Sequence, residues 1–456
     1  MSWKNELHKV YYGFLRVSVR FTLKRYYRRM EEAQRQENLP KGYQYPVILA
    51  PNHQNAFIDA VNVVCTAHPF QRPSFLTRSD VFKGFAGTVL KSFKMLPIYR
   101  ARDGVDTVAA NKPIFDLCVS RLTANEQVLI FPEGNHGRKP FLRPLKKGVS
   151  RIAFQAAEAN NFDFPLKIVP VGLNYNDHTK YHQNFLVVYG EPIDLNQFYD
   201  NYHENPNRTL GQVKEAVKEG MIKVMIHITK KEYQNEIDSL RYILTHESLE
   251  EMGLSDRTLY NQFLAQKAVI KKIEDGLDAQ QPAAQQLIDE VEDYNKTLKE
   301  AKLRDDVVRK GPNSLFVQIL KGLVMAVGAP IFAVGTLINY LPYKLPDVAA
   351  KKMFKDDHFH SSVQMLGGMV LFPIWYLLIF LITWLVADWK IGLGLVATAA
   401  ISGEFAIYYS HVFKRWWGST RYSLMHLSKK PVAVKLQKMR AGMVRRYREI
   451  SQLVTA

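Results

Sequence analysis

Three patterns of apolar and polar residues follow one another along the chain. Over residues 45–200, short apolar runs alternate with longer stretches of helical character. PVILA (46–50), SFLT (74–77), LPIYR (96–100), QVLIF (127–131), KIVPVGL (167–173) and FLVVYG (185–190) read as strands, and the stretches near 57–67, 81–93, 111–124 and 147–160 read as helices. Alternation at this spacing predicts an α/β core, a mixed and largely parallel sheet flanked by helices. Residues 206–310 become long, charged and helical, and are read as an extension whose charged faces meet water. The last third is apolar.

Within that third, segments 364–387 and 391–413 have the ~20-residue apolar length of a membrane span. Asp388, Trp389 and Lys390 alone separate them, so a tight transmembrane helical hairpin is expected. Segment 315–343 is also apolar but carries Lys321, Pro330 and three glycines, and it reads as re-entrant or interfacial. Glu404 inside the second span reads as paired within the bundle or, less commonly, as marking a polar pathway. Five of the six tryptophans (375, 384, 389, 416, 417) fall in or beside this region, as interfacial belts prefer. From Lys414 to Arg448 there are eleven Lys and Arg and no acidic residue. By the positive-inside rule both hairpin ends are then cytoplasmic. The domain reading is a basic amphipathic N-terminal helix in 1–44, a core domain in 45–205, the extension in 206–310, a membrane region in 311–413 and a basic cytoplasmic tail in 414–456.

Charge sharpens this picture. The 456 residues hold 61 Lys and Arg against 43 Asp and Glu, a formal +18. Residues 1–30 contribute eight of the basic side chains, and Arg16, Arg20, Lys24 and Arg28 interleave with Tyr11, Phe14, Val17 and Phe21. Such a helix can lie in an anionic headgroup layer or dock on the protein's own core. Nucleic acid would also answer +18, but no recognition motif or stacking platform accompanies the basic runs. An anionic phospholipid membrane is the expected partner, and no nucleic acid. Two cysteines, Cys65 and Cys118, exclude a disulfide scaffold or a multi-cysteine zinc site and read as small buried side chains. A nucleophile elbow, a Walker A loop and an H-E-x-x-H motif are all missing.

The chemistry concentrates in four places. PNHQNAFIDA (51–60) follows the strand PVILA directly and places His53 at a strand end, with Asp59 where a helix begins. A carboxylate on one imidazole nitrogen fixes the tautomer and leaves the other nitrogen as a general base. QVLIFPEGNHGRKP (127–140) runs from a buried strand into Phe131, Pro132, Glu133 and Gly134, then His136, Arg138 and Lys139. Glu133 could hold hydroxyls there, and Arg138 with Lys139 a phosphate. MLPIYRARDG (95–104) sets Arg100 at a strand end, and IVPVGLNY (168–175) carries Pro170. Taken singly, each basic residue reads more readily as solvated surface.

Together, in this order, the four blocks resemble the phospholipid/glycerol acyltransferase family over roughly residues 45–195. The resemblance implies an α/β acyltransferase core in which His53 and Asp59 are the catalytic pair. It implies that Arg100 meets the acceptor phosphate, that Phe131, Pro132, Glu133 and Gly134 bind the acceptor, and that Pro170 belongs to the last motif. FLRPLKKGVSRIA (141–153), with Lys146, Lys147 and Gly148, matches the family's basic stretch, and Arg138 is the candidate second phosphate contact. Family members usually place four residues between the His and the Asp. The five found here, Gln54 to Ile58, resemble a glycerol-3-phosphate acyltransferase branch. The implied reaction is direct O-acyl transfer to glycerol 3-phosphate from acyl-coenzyme A or acyl carrier protein as co-substrate, with no metal, no bound cofactor and no covalent acyl-enzyme. 1-Acylglycerol 3-phosphate (lysophosphatidate) is the alternative acceptor, and a non-catalytic lipid-binding membrane scaffold the alternative from another class.

Overall fold

Val47, Ile48, Leu49 and Ala50 leave no polar face for water, which only the middle of a sheet covered on both sides can accommodate. The computed structural model describes residues 3–39, 44–67, 72–82, 84–100, 104–137, 139–353 and 359–454. It divides into two units, Met1–His227 with Met353–Met365, and Ile228–Lys352 with Leu366–Ala456.

The first unit is built on β1 (Arg29–Ala33), β2 (Val47–Pro51), β3 (Ser74–Arg78), β4 (Met95–Ile98), β5 (Gln127–Leu129), β6 (Lys167–Tyr175), β7 (Asn184–Tyr189) and β8 (Ile193–Asp194). They form one sheet in the order β1-β7-β6-β2-β5-β3-β4, with β8 also on β6. Only the β6–β7 and β6–β8 pairs are antiparallel. The expected mixed, largely parallel sheet is therefore present. Its helices are α1 (Trp3–Tyr26), α2 (Arg35–Asn38), α3 (Ala56–Thr66), α4 (Gly84–Ser92), α5 (Thr107–Thr123), α6 (Gly148–Ala159), α7 (Tyr199–Glu204) and α8 (Pro206–Val224). One core layer joins Ile48, Val128 and Ile168 of the sheet to Ile152, Val213 and Met221 of α6 and α8.

Three boundaries differ from the sequence reading. The first unit runs on through α8 to His227 rather than stopping at 205. A Cβ at Gly172 on β6 would collide with the Val224 carbonyl, so a glycine permits the close approach that welds α8 to the sheet. Residues 353–365, ahead of the hairpin, also belong to this unit. The Ser362 Oγ accepts the Ile58 N–H (3.2 Å), and the Ser361 hydroxyl donates to the His178 carbonyl (2.6 Å).

The N-terminal 44 residues are not one helix. β1 follows α1 and pairs with β7; its sequence RMEEA gives no apolar signal because it is the sheet edge, where charge blocks further pairing. Tyr12, Val19, Leu23 and Tyr26 bury one face of α1, and Val10, Phe14, Val17 and Phe21 form an exposed stripe on the opposite face. Arg16 donates to the Ala67 carbonyl and Arg20 to that of Cys65 (2.5 Å), while Arg35 donates to that of Thr66 (3.2 Å). Interleaved arginines thus cap the carboxyl end of α3, where a helix leaves carbonyls unpaired and favours cations.

The second unit comprises α9 (Gln234–Ile243), α10 (Thr245–Glu251), α11 (Leu259–Asp278), α12 (Pro282–Ala301), α13 (Asp305–Lys310), α14 (Leu315–Met353), α15 (His360–Val386, from Leu366 onward), α16 (Trp389–Leu427) and α17 (Pro431–Val454). Helices α14, α15 and α16 are long and apolar enough to cross a membrane. The basic tail is helical and packs back onto the extension. Lys435 pairs with Asp293 (3.0 Å), and Arg446 with Glu290 (2.8 Å). The buried Arg440 spans Asp305 and Glu247, each at 2.9 Å, and the Ile243 carbonyl at 3.0 Å.

Residues 315–343 lie within one continuous helix, α14, which runs on through Pro330 and Pro342. Proline at 342 removes the amide that would bond the Ile338 carbonyl, and the Trp375 indole N–H takes its place at 2.9 Å. Asn339 next to it donates to the Gly335 and Ala399 carbonyls and accepts from the Tyr376 hydroxyl, each at 2.9 Å.

Candidate active site

The site is assembled where the chain leaves the carboxyl ends of the parallel strands, the edge at which open α/β sheets place ligands. Past Pro51, the Asn52 side chain exchanges hydrogen bonds with the backbone of Leu173 (3.2 and 2.6 Å), extending the β2–β6 pairing by one residue. The backbone of His53 is then held on both sides. Its N–H donates to Glu133 Oε1 (2.8 Å), and its carbonyl accepts from the Gly137 N–H (3.1 Å) and from Arg143 Nη2 (2.8 Å). The imidazole stacks on Phe131 with ring centroids 3.9 Å apart. With backbone and ring both fixed, one nitrogen faces Asp59: Nδ1 lies 2.9 Å from Oδ2.

Asp59 sits in the first turn of α3 and is fully buried. Its Oδ2 also accepts the N–H groups of Gln54 and Asn55, both at 2.7 Å, and its Oδ1 accepts the Tyr175 hydroxyl at 2.5 Å. Burial by itself would raise the carboxyl. The bonds from His53, Asn55 and Tyr175 outweigh it and hold Asp59 below its ordinary value, so it stays ionised. The loop absorbs its extra residue through a left-handed turn at Ala56 (φ +34°). Five intervening residues therefore close the same imidazole–carboxylate contact that the motif implies.

Other predicted residues take different places. Glu133 is buried and tied by protein donors, with Oε2 accepting the Arg143 Nε (2.8 Å) and N–H (3.2 Å). These bonds lock the loop after β5 to His53. Pro132 is buried and accepts the Lys146 N–H at 2.8 Å, and Gly134 takes φ +68°. The Lys146 side chain is exposed. Pro170 is part of β6, paired with Ala50 and packed against Gly220, so it shapes the sheet. Arg138 lies outside the described residues.

Arg100 stands just past β4, and its guanidinium lies 3.6 Å from Asp80. In the order β2-β5-β3-β4 it is three strands from His53, roughly 14 Å at the usual strand spacing. Arg78 ends the intervening β3 and also pairs with Asp80, at 2.5 Å.

Three of these contributors escape sequence reading: Arg143, Arg78 and Tyr175. For Arg143 the signal is the need of a buried Glu133 for a cation; for Tyr175, its place at the end of the VPVGLNY strand. Phe359 meets the His136 ring edge-on at 5.9 Å, and His136 in turn meets His53 at 5.6 Å. Cys65 and Cys118 are buried, and burial pushes both thiols up to about 12. Neither is a ready nucleophile. Among the described residues, no three His, Cys, Asp or Glu side chains gather as a metal site.

Comparison with known proteins matches residues 31–174 to the acyltransferase family. Over 127 residues the chain is 28% identical to glycerol-3-phosphate O-acyltransferase 2 of Saccharomyces cerevisiae, which covers 28% of this chain and 16% of that protein. Over 105 residues it is 32% identical to glycerol-3-phosphate O-acyltransferase 1 of the same yeast, covering 23% of this chain and 14% of that protein. An uncharacterized acyltransferase of Schizosaccharomyces pombe is 23% identical over 307 residues, 64% of this chain and 41% of that protein. The match thus spans well under two thirds of each relative's length.

Proposed function

We propose, given that residues 31–174 are an acyltransferase domain, that this chain is a membrane-bound enzyme transferring a fatty acyl group from acyl-coenzyme A or acyl carrier protein to a hydroxyl of glycerol 3-phosphate. The observation that carries the reading is the 2.9 Å contact of His53 Nδ1 with an Asp59 carboxylate kept ionised by its hydrogen bonds. With Nδ1 committed, Nε2 is the nitrogen left to take the proton of the acceptor hydroxyl. That oxygen attacks the thioester carbonyl, a C–O bond forms as the C–S bond breaks, and the proton passes to the departing thiolate. Base catalysis of this kind supplies ~10²–10⁴-fold. No cofactor takes part, and the thioester is itself a substrate. Arg100, with Arg78 beside it on Asp80, offers the charge that a phosphate on the acceptor would meet. The names of the two yeast relatives favour glycerol 3-phosphate over its 1-acyl derivative.

An anionic bilayer is the proposed surrounding. Because α17 packs on α12, the two ends of the apolar stretch share one side, and an even number of crossings follows. Only Ala387 and Asp388 join α15 to α16, so these cross as a pair and α14 does not complete a crossing. The basic tail assigns the shared side, and the acyltransferase domain, to the cytoplasm. The outward stripe of α1 suits insertion among headgroups.

The test is thiol release from acyl-coenzyme A and acyl carrier protein in turn by the detergent-purified protein, offered glycerol 3-phosphate or 1-acylglycerol 3-phosphate, with His53→Ala beside the wild type. Release with glycerol 3-phosphate, lost in the variant, is the expected result. Preference for the 1-acyl acceptor would change the substrate. Silence from folded protein with every pair, or activity surviving in His53→Ala, would remove the reading.

A further inference from the structure

We propose that Tyr175 is a positioning residue of the reaction, holding the Asp59 carboxylate against His53 and drawing charge away from it. The inference rests on the general-base reading of His53. It starts from an accounting of lone pairs. Oδ2 of Asp59 is shared by the imidazole and two backbone N–H groups, whereas Oδ1 is bonded to the Tyr175 hydroxyl at 2.5 Å. An ionised carboxylate only accepts, so the phenol must donate. The phenol oxygen accepts in turn from Asn62 Nδ2 (2.9 Å), whose other N–H goes to the Tyr27 hydroxyl (2.8 Å). This order of donors fixes the protons shared among Asp59, Tyr175 and Asn62. The Tyr27 and Tyr175 rings stack on Phe185 at 4.8 and 4.6 Å, which sets their planes. Burial and the Asp59 charge push the Tyr175 phenol well above its ordinary range, so it remains a donor.

Other groups also face this pair. Glu133 and Arg143 bind the His53 backbone, the His136 ring is 5.6 Å from the imidazole, and the His178 ring is 6.5 Å from Tyr175. None of these bonds to Oδ1 in the contacts described, so the effect of the phenol can be isolated. Removing the donor leaves more negative charge on the carboxylate facing Nδ1 and favours the protonated imidazole. The general base must be neutral, so the acidic limb of the kcat/KM profile moves to higher pH.

Tyr175→Phe preserves the ring. The expected result is a ten- to hundredfold fall in kcat, the size of one hydrogen bond to a charged group. KM for glycerol 3-phosphate stays in place, and the acidic limb shifts upward. Tyr27→Phe, which touches Asn62 but not Asp59, leaves that midpoint where it is. Fluorotyrosine placed at 175 donates more strongly and moves the limb downward, giving a second readout if the phenylalanine variant folds poorly. A fall in activity with an unmoved midpoint in both position-175 variants, or an equal shift in Tyr27→Phe, would reduce Tyr175 to packing. The wild type and His53→Ala run alongside separate the two ideas: a transfer-competent His53→Ala removes the general-base reading, while an inert His53→Ala with unmoved midpoints removes only this one.

Discussion

A carboxylate with no water to solvate it, such as Asp59, must be solvated by the protein, and the loop from His53 to Asn55 does this with its own N–H groups. The consequence is a signature in stability as well as in rate. A carboxyl held below its ordinary value of ~3.9 adds stability that is fully present above that value and is lost as pH falls through the lower folded one. Asp59→Asn is therefore expected to be less stable than the wild type at pH 7 by on the order of 2 kcal/mol. The gap should begin to narrow below about pH 4 and close as the pH falls through the lower folded value. Denaturation midpoints in detergent from pH 7 to 3 check this, and a gap that stays constant with pH would refute it. At this scale the sequence is readable where partners are near in the chain. His53 and Asp59 are six residues apart in a recognisable block. Tyr175 reaches Asp59 from a distance of 116 residues and Arg143 reaches the His53 carbonyl from 90. Their partnerships are decided by strand register and loop closure, which local spacing does not encode.

Among the elements, α3 carries compensating charge at both ends, with Asp59 near its amino terminus and Arg16, Arg20 and Arg35 on its last carbonyls. The dependence of the extension on the tail is of another kind. Arg440 satisfies two carboxylates inside a helical bundle, and burial raises the carboxyl of Asp305 despite this neighbour. Arg440→Ala would strand both, at a cost of about 3–5 kcal/mol. Hydrogen exchange should show α11, α12 and α17 losing protection together while β2 and β6 keep theirs; loss confined to α17 would contradict this. The apolar runs of β2, β5, β6 and β7 were legible because strands buried on both faces are written as near-continuous apolar sequence. β1 was hidden by the charge that suits an edge, and the continuity of α14 by its prolines, of which Pro342 has its missing amide made good from α15.

At the scale of the whole molecule the sequence shows an apolar stretch but not where its two ends meet, since that depends on a contact between α12 and α17. The contact makes a topological prediction. The native cysteines are buried, so single cysteines at Pro312, Ala387 and Lys430 report cleanly. An impermeant maleimide should reach positions 312 and 430 from the same face of sealed vesicles and 387 from the other. Opposite faces for 312 and 430 would overturn the even count of crossings. Where the ends meet, the Asn313 N–H donates to the Ser423 hydroxyl oxygen at 2.9 Å. The helical extension is thus a body interrupted by an insertion, with the last helix returning to finish it. Ending the polypeptide at residue 310 would leave that body open along the groove where α17 belongs, whereas splicing 313 to 423 through a few flexible residues would leave it whole.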